Sequence, residues 1–146
     1  YNHESSRRGS QFVTKKIISS AVKIKLGIQD KLYLGNLEAK RDWGYAPDYV
    51  KAMWKVLQAD KADDFILATG KLYSVREFLD ITFSYLDLSY KDYVEIDPKF
   101  FRASERNPLC GNSSKIKNII GWENTKSLEY IIKEMMDNEM LKYKTK

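Results

Sequence analysis

The sequence predicts an α/β protein that is rich in helix, because short apolar runs of strand length alternate with longer segments of helical periodicity. The chain has 146 residues, about the size of one domain. Its content of 43% hydrophobic and 13% aromatic residues is sufficient for a core and argues against disorder. No apolar run approaches the ~18–20 residues of a membrane span.

The first half of the chain is predicted to contain two helices and one strand. Apolar residues recur at helical spacing over residues 12–26, and Gly27 stands where this helix is expected to end. Residues 32–34 predict a strand, and residues 41–44 a loop or a short extended segment. Pro47 is predicted to open a second helix that runs to about residue 59. Its apolar face comprises Tyr49, Val50, Met53, Trp54 and Leu57.

The second half is predicted to contain two strands and three helices. Residues 65–68 form a continuous apolar run of strand length, and residues 93–96 predict another strand that ends at Pro98. Ser74 and Glu77 have the spacing of a capping box at the start of a helix over residues 75–88. A short helix is expected over residues 113–120, and Ser127 is expected to cap the last one, which ends near residue 140.

The positive charge of the chain is concentrated at its N-terminal end. The 25 Lys and Arg residues exceed the 20 Asp and Glu residues by five. Residues 1–25 carry this whole excess, because they contain six basic residues and one acidic residue. This end is therefore expected to bind an anion, whereas residues 1–10 are otherwise predicted to be a polar, turn-like segment.

Several residues have simple interpretations. The single cysteine, Cys110, has no partner for an internal disulfide and is expected to be a small buried residue in a reducing compartment. One histidine, His3, and one cysteine do not suffice for a zinc site. The three tryptophans, Trp43, Trp54 and Trp122, are predicted to lie in the core.

The candidates for phosphate binding are basic residues in loops and in a first helical turn: Arg7, Arg8, Lys15, Lys16, Arg41 and Arg102. Arginine suits this role because its guanidinium donates two parallel hydrogen bonds to a phosphate. Arg41 has a plain alternative, a surface ion pair with Asp42 or Glu38. The chain has no glycine-rich phosphate loop and no complete catalytic arrangement. The residues alone thus predict an α/β domain with one basic, phosphate-binding end.

Several motifs closely resemble the GDP-mannose 4,6-dehydratase family. Residues 2–9 (NHESSRRG) resemble the family's N-H-E-S-P-R-R-G, with Ser6 in place of the usual proline. Residues 12–17 (FVTKKI) resemble F-V-T-R-K-I, and residues 41–44 (RDWG) match the family's R-D-W-G. Further matches include residues 33–37, 48–50, 68–70, 73–78 and 120–122, so the resemblance spans nearly the whole chain.

The resemblance implies a fold and a place within it. Residues 1–146 resemble the C-terminal, substrate-binding portion of an extended short-chain dehydrogenase, which comprises the small sugar-nucleotide domain and the last elements of the Rossmann-like fold. The N-terminal Rossmann half, with the family's catalytic Thr, Glu and Tyr-x-x-x-Lys, is expected upstream. No catalytic residue is therefore expected in this chain.

The implied activity is a lyase reaction on a nucleotide sugar. The family converts GDP-D-mannose to GDP-4-keto-6-deoxy-D-mannose with bound NADP, by oxidation at C4, elimination of water across C5–C6 and return of the hydride to C6. The implied partners are GDP-mannose and further copies of the chain in a dimer or tetramer, without nucleic acid or membrane. The implied location is cytoplasmic, and the fragment alone is expected to be inactive.

The resemblance also implies residue roles. NADP-contacting positions of the family match His3, Arg7 and Arg8. Positions around the substrate match Asn2, Val13, Lys16, Leu34, Gly35 and Asn36. The two arginines that hold the diphosphate match Arg41 and Arg102, and Glu105 is implied as a nucleoside contact.

Three alternatives remain. The first is another NAD(P)-dependent nucleotide-sugar reductase, epimerase or dehydratase, which the upstream catalytic residues would distinguish. The second is a basic nucleic-acid-binding module, whose affinity would fall steeply with salt. The absence of net charge beyond residue 25 argues against this alternative. The third is a binding or oligomerisation remnant without activity.

Overall fold

The computed structural model describes residues 1–101 and 108–144, which confirm the predicted mixture of helices and short strands. The helices within these ranges are α1 (Val13–Lys25), α2 (Ala46–Leu57), α3 (Val75–Ser84), α4 (Ser114–Ile120) and α5 (Leu128–Lys144). The strands are β1 (Asn2–Glu4), β2 (Leu32–Leu34), β3 (Lys40–Arg41), β4 (Trp43–Tyr45), β5 (Tyr73–Ser74) and β6 (Val94–Ile96).

The strands associate in three pairs. β1 lies parallel to β4, with Asn2 opposite Trp43, and β2 lies parallel to β6, with Leu34 opposite Ile96. β3 and β5 are antiparallel, with Arg41 opposite Tyr73. Because only one residue separates β3 from β4, the first and third pairs are held side by side.

The main core lies between α1, α3 and α5. Residues with almost no exposed surface on these helices pack against one another and against β2: Ile17, Ile18, Ala21, Phe78, Leu79, Phe83, Ile131, Ile132 and Met135. A smaller cluster joins α2 to α4 through Tyr49, Ala52, Ile116 and Trp122. The burial of these side chains is the main stabilising contribution to the fold.

The predicted helix caps are confirmed, but two helix ends differ from the prediction, because α3 ends at Ser84 rather than at residue 88 and α5 continues to Lys144. The Ser74 side chain accepts the Glu77 N–H, and the Glu77 carboxylate accepts the Ser74 N–H at 2.6 Å, which completes the capping box. Ser127 Oγ accepts the N–H of Tyr130 in the first turn of α5. Gly27 and Gly121 follow α1 and α4 with a φ of 68° each, a conformation that glycine adopts without strain.

Two further segments differ from the prediction. Residues 2–4, expected to be turn-like, form β1 because β4 supplies a parallel partner. Residues 65–68, expected to be a strand, are not assigned to a sheet. Their neighbour is the start of the chain, where the Tyr1 amino group donates a hydrogen bond to the Leu67 carbonyl at 3.0 Å.

The predicted burial of Trp54 and Cys110 is wrong. Trp54 is 62% exposed and Leu57 80%, and only the side of α2 that carries Tyr49 and Ala52 meets the smaller core. Trp43 and Trp122 are buried as predicted, whereas Cys110 is exposed. Within the described ranges, no helix combines the length and the apolar character that crossing a bilayer requires.

Candidate functional site

A cavity of about 490 Å³ lies where β1, the start of α1, the end of β2, and β3 meet. Eight of the residues implied for ligand binding line it: Asn2, Arg8, Val13, Lys16, Leu34, Gly35, Asn36 and Arg41. These residues are spread over 40 positions of sequence, so the fold brings a predicted set together around one space. Other lining residues were not predicted: Glu4, Gln11, Phe12, Thr14, Ala39, Trp43, Val75 and Phe100.

The wall formed by β1 and β4 depends on a buried carboxylate. Asp42 has no exposed surface and accepts hydrogen bonds from the Thr69 N–H and hydroxyl at 2.9 and 2.6 Å. It also accepts the N–H groups of Gly70 at 3.0 Å and Gly111 at 3.2 Å. Since Asp42 stands between β3 and β4, these bonds fix the neighbouring Arg41 relative to the rest of the domain.

Asn2 is fixed to the same segment. Its side-chain amide donates to the Asp42 carbonyl at 3.0 Å. This bond aligns the beginning of β1 with β4 and leaves the amide group of Asn2 at the cavity wall.

Arg41 lies in β3 and lines the cavity. One of its guanidinium nitrogens donates to the Lys40 carbonyl at 2.8 Å. Glu38, one of the two carboxylates considered as a surface partner, forms a close ion pair with Arg76, whose Nε donates to it at 2.7 Å. The guanidinium of Arg41 contributes a fixed positive charge to the cavity, which suits a phosphate.

Lys16 supplies a second cation from the first turns of α1. Its ammonium group donates to the Tyr33 carbonyl at 2.6 Å and lies 3.9 Å from the centre of the Phe100 ring. Burial lowers the pKa of Lys16 and the nearby Lys99 lowers it further, whereas Asp97 opposes the change. The cavity is therefore lined by cations from two separate elements, α1 and β3, which suits an anion with two phosphates such as a diphosphate.

Arg8 stands at the mouth of the cavity with its guanidinium carbon 3.5 Å above the centre of the Phe12 ring. The backbone before Arg8 is turned by the Arg8 N–H, which donates to the Ser5 carbonyl at 3.0 Å, and by the Arg7 N–H, which donates to Ser5 Oγ. Between Arg8 and Phe12, the Phe12 N–H donates to the Gly9 carbonyl at 3.2 Å. The stacking contact with Phe12 limits the directions in which the Arg8 charge can point.

Lys15 is buried in the interior and does not line the cavity, so its interpretation as a phosphate ligand is wrong. It forms a buried ion pair with Glu139 of α5, at 2.7 Å, and also donates to the Ser6 carbonyl at 3.4 Å. The loop that contains Ser6 is thereby connected to the last helix.

Two of the residues implied for NADP lie outside the cavity lining. The His3 ring packs edge-on against Tyr49, with centroids 4.5 Å apart, and its Nδ1 lies 2.8 Å from the Tyr1 carbonyl. Arg7 is exposed on the loop that precedes α1. Arg102 and Glu105 lie outside the described residues.

Some of the unpredicted lining residues belong to the core, and others reach the cavity through tertiary contacts. Trp43, Val75 and Ala39 are apolar and belong to the main core, as was expected for Trp43. Glu4 was visible only as part of the NHE motif, because nothing in a sequence shows that a carboxylate next to a histidine will be fully buried. Phe100 precedes Arg102 by two positions, and its place beside Lys16 depends on the pairing of β2 with β6.

This architecture is found within solved nucleotide-sugar epimerases and dehydratases that have a Rossmann-like fold. RMD from Pseudomonas aeruginosa, in a structure complexed with NADPH, superposes with a TM-score of 0.87 at 17% identity, over 97% of this chain and 46% of that one. The dTDP-glucose 4,6-dehydratase of Bacillus anthracis, in complex with NAD, gives a TM-score of 0.82 at 19% identity, over 98% of this chain and 43% of that one. At such identities the likeness concerns the fold.

The sequence defines the family within this class. The profile of the GDP-mannose 4,6 dehydratase family matches residues 1–135, and the chain therefore belongs to this family. GDP-mannose 4,6 dehydratase 2 of Arabidopsis thaliana is 51% identical over 140 residues, which are 96% of this chain and 38% of that protein. The human GDP-mannose 4,6 dehydratase is 40% identical over 153 residues, 93% of this chain and 41% of that protein. The chain thus spans about two-fifths of the length of these curated relatives, and the matched part is their C-terminal portion.

Proposed function

We propose that this chain forms the GDP-sugar-binding portion of a GDP-mannose 4,6-dehydratase. The observation that carries the proposal is the convergence of Arg41, Lys16 and Arg8 on one cavity, in a chain of that family. Lys16 and Arg41 would hold the diphosphate, and the apolar lining residues would receive the uncharged parts of the nucleotide sugar. Arg102 and Glu105 remain proposed contacts on the strength of the resemblance.

In the proposed reaction the chain binds and orients its substrate. The sugar is oxidised at C4, which makes the proton on C5 acidic, and water then leaves across C5–C6. The NADP that His3, Arg7 and Arg8 would hold would supply the hydride chemistry at C4 and C6. The groups that transfer protons are proposed to belong to the N-terminal portion of the relatives, because the chain lacks a Tyr-x-x-x-Lys sequence. The contribution of the cavity is to keep the diphosphate fixed while the sugar reacts.

The side chains implied for NADP have suitable chemistry. An imidazole and two guanidinium groups, those of His3, Arg7 and Arg8, offer donors to the phosphates of a dinucleotide. The side chain of Arg8 is 18% exposed, so it remains accessible at the mouth of the cavity. We propose that Arg8 borders both the substrate and the cofactor, and that His3 and Arg7 act from outside the substrate cavity. The dimer or tetramer implied by the family and the cytoplasmic location stay predictions.

The proposal is tested by the binding of GDP-mannose to the 146-residue chain. Isothermal titration calorimetry should give saturable binding of GDP-mannose and weaker binding of UDP-glucose, while single-stranded DNA at equal phosphate concentration should not compete. A matched measurement joins the chain to the N-terminal portion of the Arabidopsis enzyme and assays release of the 4-keto-6-deoxy product. The chain alone should bind GDP-mannose without releasing product, whereas binding without product from the folded fusion would contradict the dehydratase. The absence of any preference for GDP-mannose over UDP-glucose would contradict the proposed substrate.

A further inference from the structure

A buried carboxylate, Glu4, lies in the wall of the cavity without a role in the function proposed above. It is the last residue of β1 and has no exposed surface. Its Oε2 accepts the Thr14 hydroxyl at 2.6 Å, which connects β1 to the first turn of α1. Burial of a carboxylate is unfavourable unless its charge and its lone pairs are compensated.

The compensation of Glu4 is incomplete. Its Oε2 lies 3.5 Å from Nε of Arg8, a distance that gives an ion pair without a well-formed hydrogen bond. Glu4 Oε1 and Arg8 Nε are both buried and have no hydrogen-bond partner among the described residues. Two complementary atoms of one ion pair are therefore left unsatisfied at the edge of a cavity that has space for a ligand.

The groups that face Glu4 explain its electrostatic state. Burial raises the pKa of Glu4 to about 7, although the Thr14 hydrogen bond and the charge of Arg8 oppose this change. On the side of α2, the buried Tyr49 also senses this carboxylate, since burial and the charges of Asp42, Asp48 and Glu4 raise the Tyr49 pKa. Arg8 is the cation that faces Glu4 from the loop before α1, so a change in the direction of Arg8 changes the charge that Glu4 carries.

We propose that Glu4 is a positioning residue which holds Arg8 at the mouth of the cavity and takes up a proton when a nucleotide diphosphate binds there. This inference rests on the proposed function, because it needs a ligand with a diphosphate. The anion draws the Arg8 guanidinium away from Glu4 and adds negative charge beside a buried carboxylate. Protonation removes the repulsion between the carboxylate and the diphosphate, and the neutral carboxyl group keeps its bond to Thr14. The proton comes from solvent, and no covalent bond of the ligand changes.

The experiment measures the proton uptake that accompanies binding of GDP-mannose to the 146-residue chain. GDP-mannose is a suitable probe because its diphosphate diester does not titrate near neutral pH. Calorimetric titrations at pH 7.5 in PIPES and in Tris, which differ in enthalpy of ionisation, give the number of protons bound. For wild type we expect uptake of about half a proton per ligand, as for a carboxyl whose pKa rises from about 7 to above about 8.

Three variants separate this role from a structural one. Glu4→Gln keeps the size and the acceptor for Thr14 but removes the titrating group, so the uptake seen in wild type should disappear. Glu4→Asp keeps a carboxyl group and should retain uptake while its shorter side chain weakens binding. Glu38→Gln, at an exposed carboxylate paired with Arg76 outside the cavity, should take up as many protons as wild type. Circular dichroism and urea unfolding establish that each variant is folded.

The outcomes distinguish the two proposals. Equal proton uptake by wild type and a folded Glu4→Gln variant would overturn the role of Glu4 and leave GDP-mannose binding intact. Should Glu4→Gln not fold, retained uptake by Glu4→Asp supports the proposal, and loss of uptake in that variant contradicts it. The absence of GDP-mannose binding by wild type would contradict the proposed function, and with it this inference.

Discussion

Gly35 and Phe100 are in such close contact that a side chain on Gly35 would collide with the backbone of Phe100. A Cβ on Gly35 would stand 2.5 Å from the carbonyl oxygen of Phe100 and 2.7 Å from its carbonyl carbon. The contact exists because the Asp97 N–H donates to the Leu34 carbonyl at 2.8 Å, which draws the turn after β6 across the end of β2. The position of the Phe100 ring, and of the Lys16 ammonium above it, thus depends on the absence of a side chain at residue 35.

Gly35→Ala should therefore impair ligand binding through the cavity wall. The displaced backbone moves Phe100 away from Lys16, so we expect the Kd for GDP-mannose to rise about tenfold, with a loss of about 1–3 kcal/mol in stability from the steric conflict. Calorimetry and urea unfolding measure the two effects. Gly27→Ala is the matched control, because Gly27 has a φ of 68° and a Cβ added there would meet no atom of the described residues within 4 Å. That variant should lose stability but bind normally, and equal Kd values for both variants would contradict the prediction.

Arg41→Ala should weaken the binding of GDP-mannose by about tenfold or more, since a charge-assisted hydrogen bond contributes about 1.5–3 kcal/mol. Arg41→Lys should recover part of the affinity, because the ammonium keeps the charge but not the paired donors of the guanidinium. The measurement is calorimetric, with Arg76→Ala as control, because Arg76 pairs with Glu38 and does not line the cavity. An unchanged Kd for Arg41→Ala would show that Arg41 has a structural role only.

The sequence was sufficient for most helices and for the composition of the cavity, for different reasons. Helix ends follow local rules, and Ser74, Glu77 and Gly27 are found as these rules require. The cavity residues were identified because they match positions in the motifs of a known family, and not from their own spacing. The exposure of Trp54 was not predictable, because periodicity shows that a helix has an apolar face but not how much of that face a neighbour covers.

The burial of two carboxylates, Glu4 at the cavity and Glu139 in α5, could also not be predicted from sequence patterns. The Lys15 ammonium donates to the Glu139 carboxylate at 2.7 Å, although the two residues are 124 positions apart in the sequence. They meet only because α1 packs against α5. Charged residues at both positions are consistent with a solvated surface until this packing is known. The burial of Glu4 was equally hidden from the sequence, because it depends on the packing of both β4 and α1 around this residue.

Asp42→Asn should lower the free energy of unfolding by about 3 kcal/mol or more. The carboxylate accepts four hydrogen bonds from Thr69, Gly70 and Gly111, whereas an amide offers one oxygen and two donors to the same positions. Urea unfolding at pH 7 measures the loss. Asp63→Asn removes an exposed partner of Lys115 and should leave the free energy unchanged. Equal stability of the two variants would contradict the role of Asp42 as the connection between β4 and the segments at residues 69–70 and 111.

The ion pair between Lys15 and Glu139 should determine part of the acid sensitivity of the fold. Burial alone would raise the pKa of Glu139, but hydrogen bonds from Lys142, Lys15 and Ser19 outweigh it and lower the pKa to about 2. Since this pKa lies below the unfolded value of 4.5, the stabilisation is complete above about pH 4.5 and is lost as pH falls towards 2.

Glu139→Gln should therefore act mainly at neutral pH. The variant leaves Lys15 buried without a counter-charge, so we expect a loss of about 3 kcal/mol or more at pH 7. Between pH 4.5 and pH 2.5 its stability should fall less steeply than that of wild type, because it lacks the carboxylate that wild type must protonate. Urea midpoints across this range give both slopes. Glu123→Gln, at an exposed carboxylate paired with Lys117, should follow the wild-type curve, and a parallel acid slope for Glu139→Gln would show that another group controls acid unfolding.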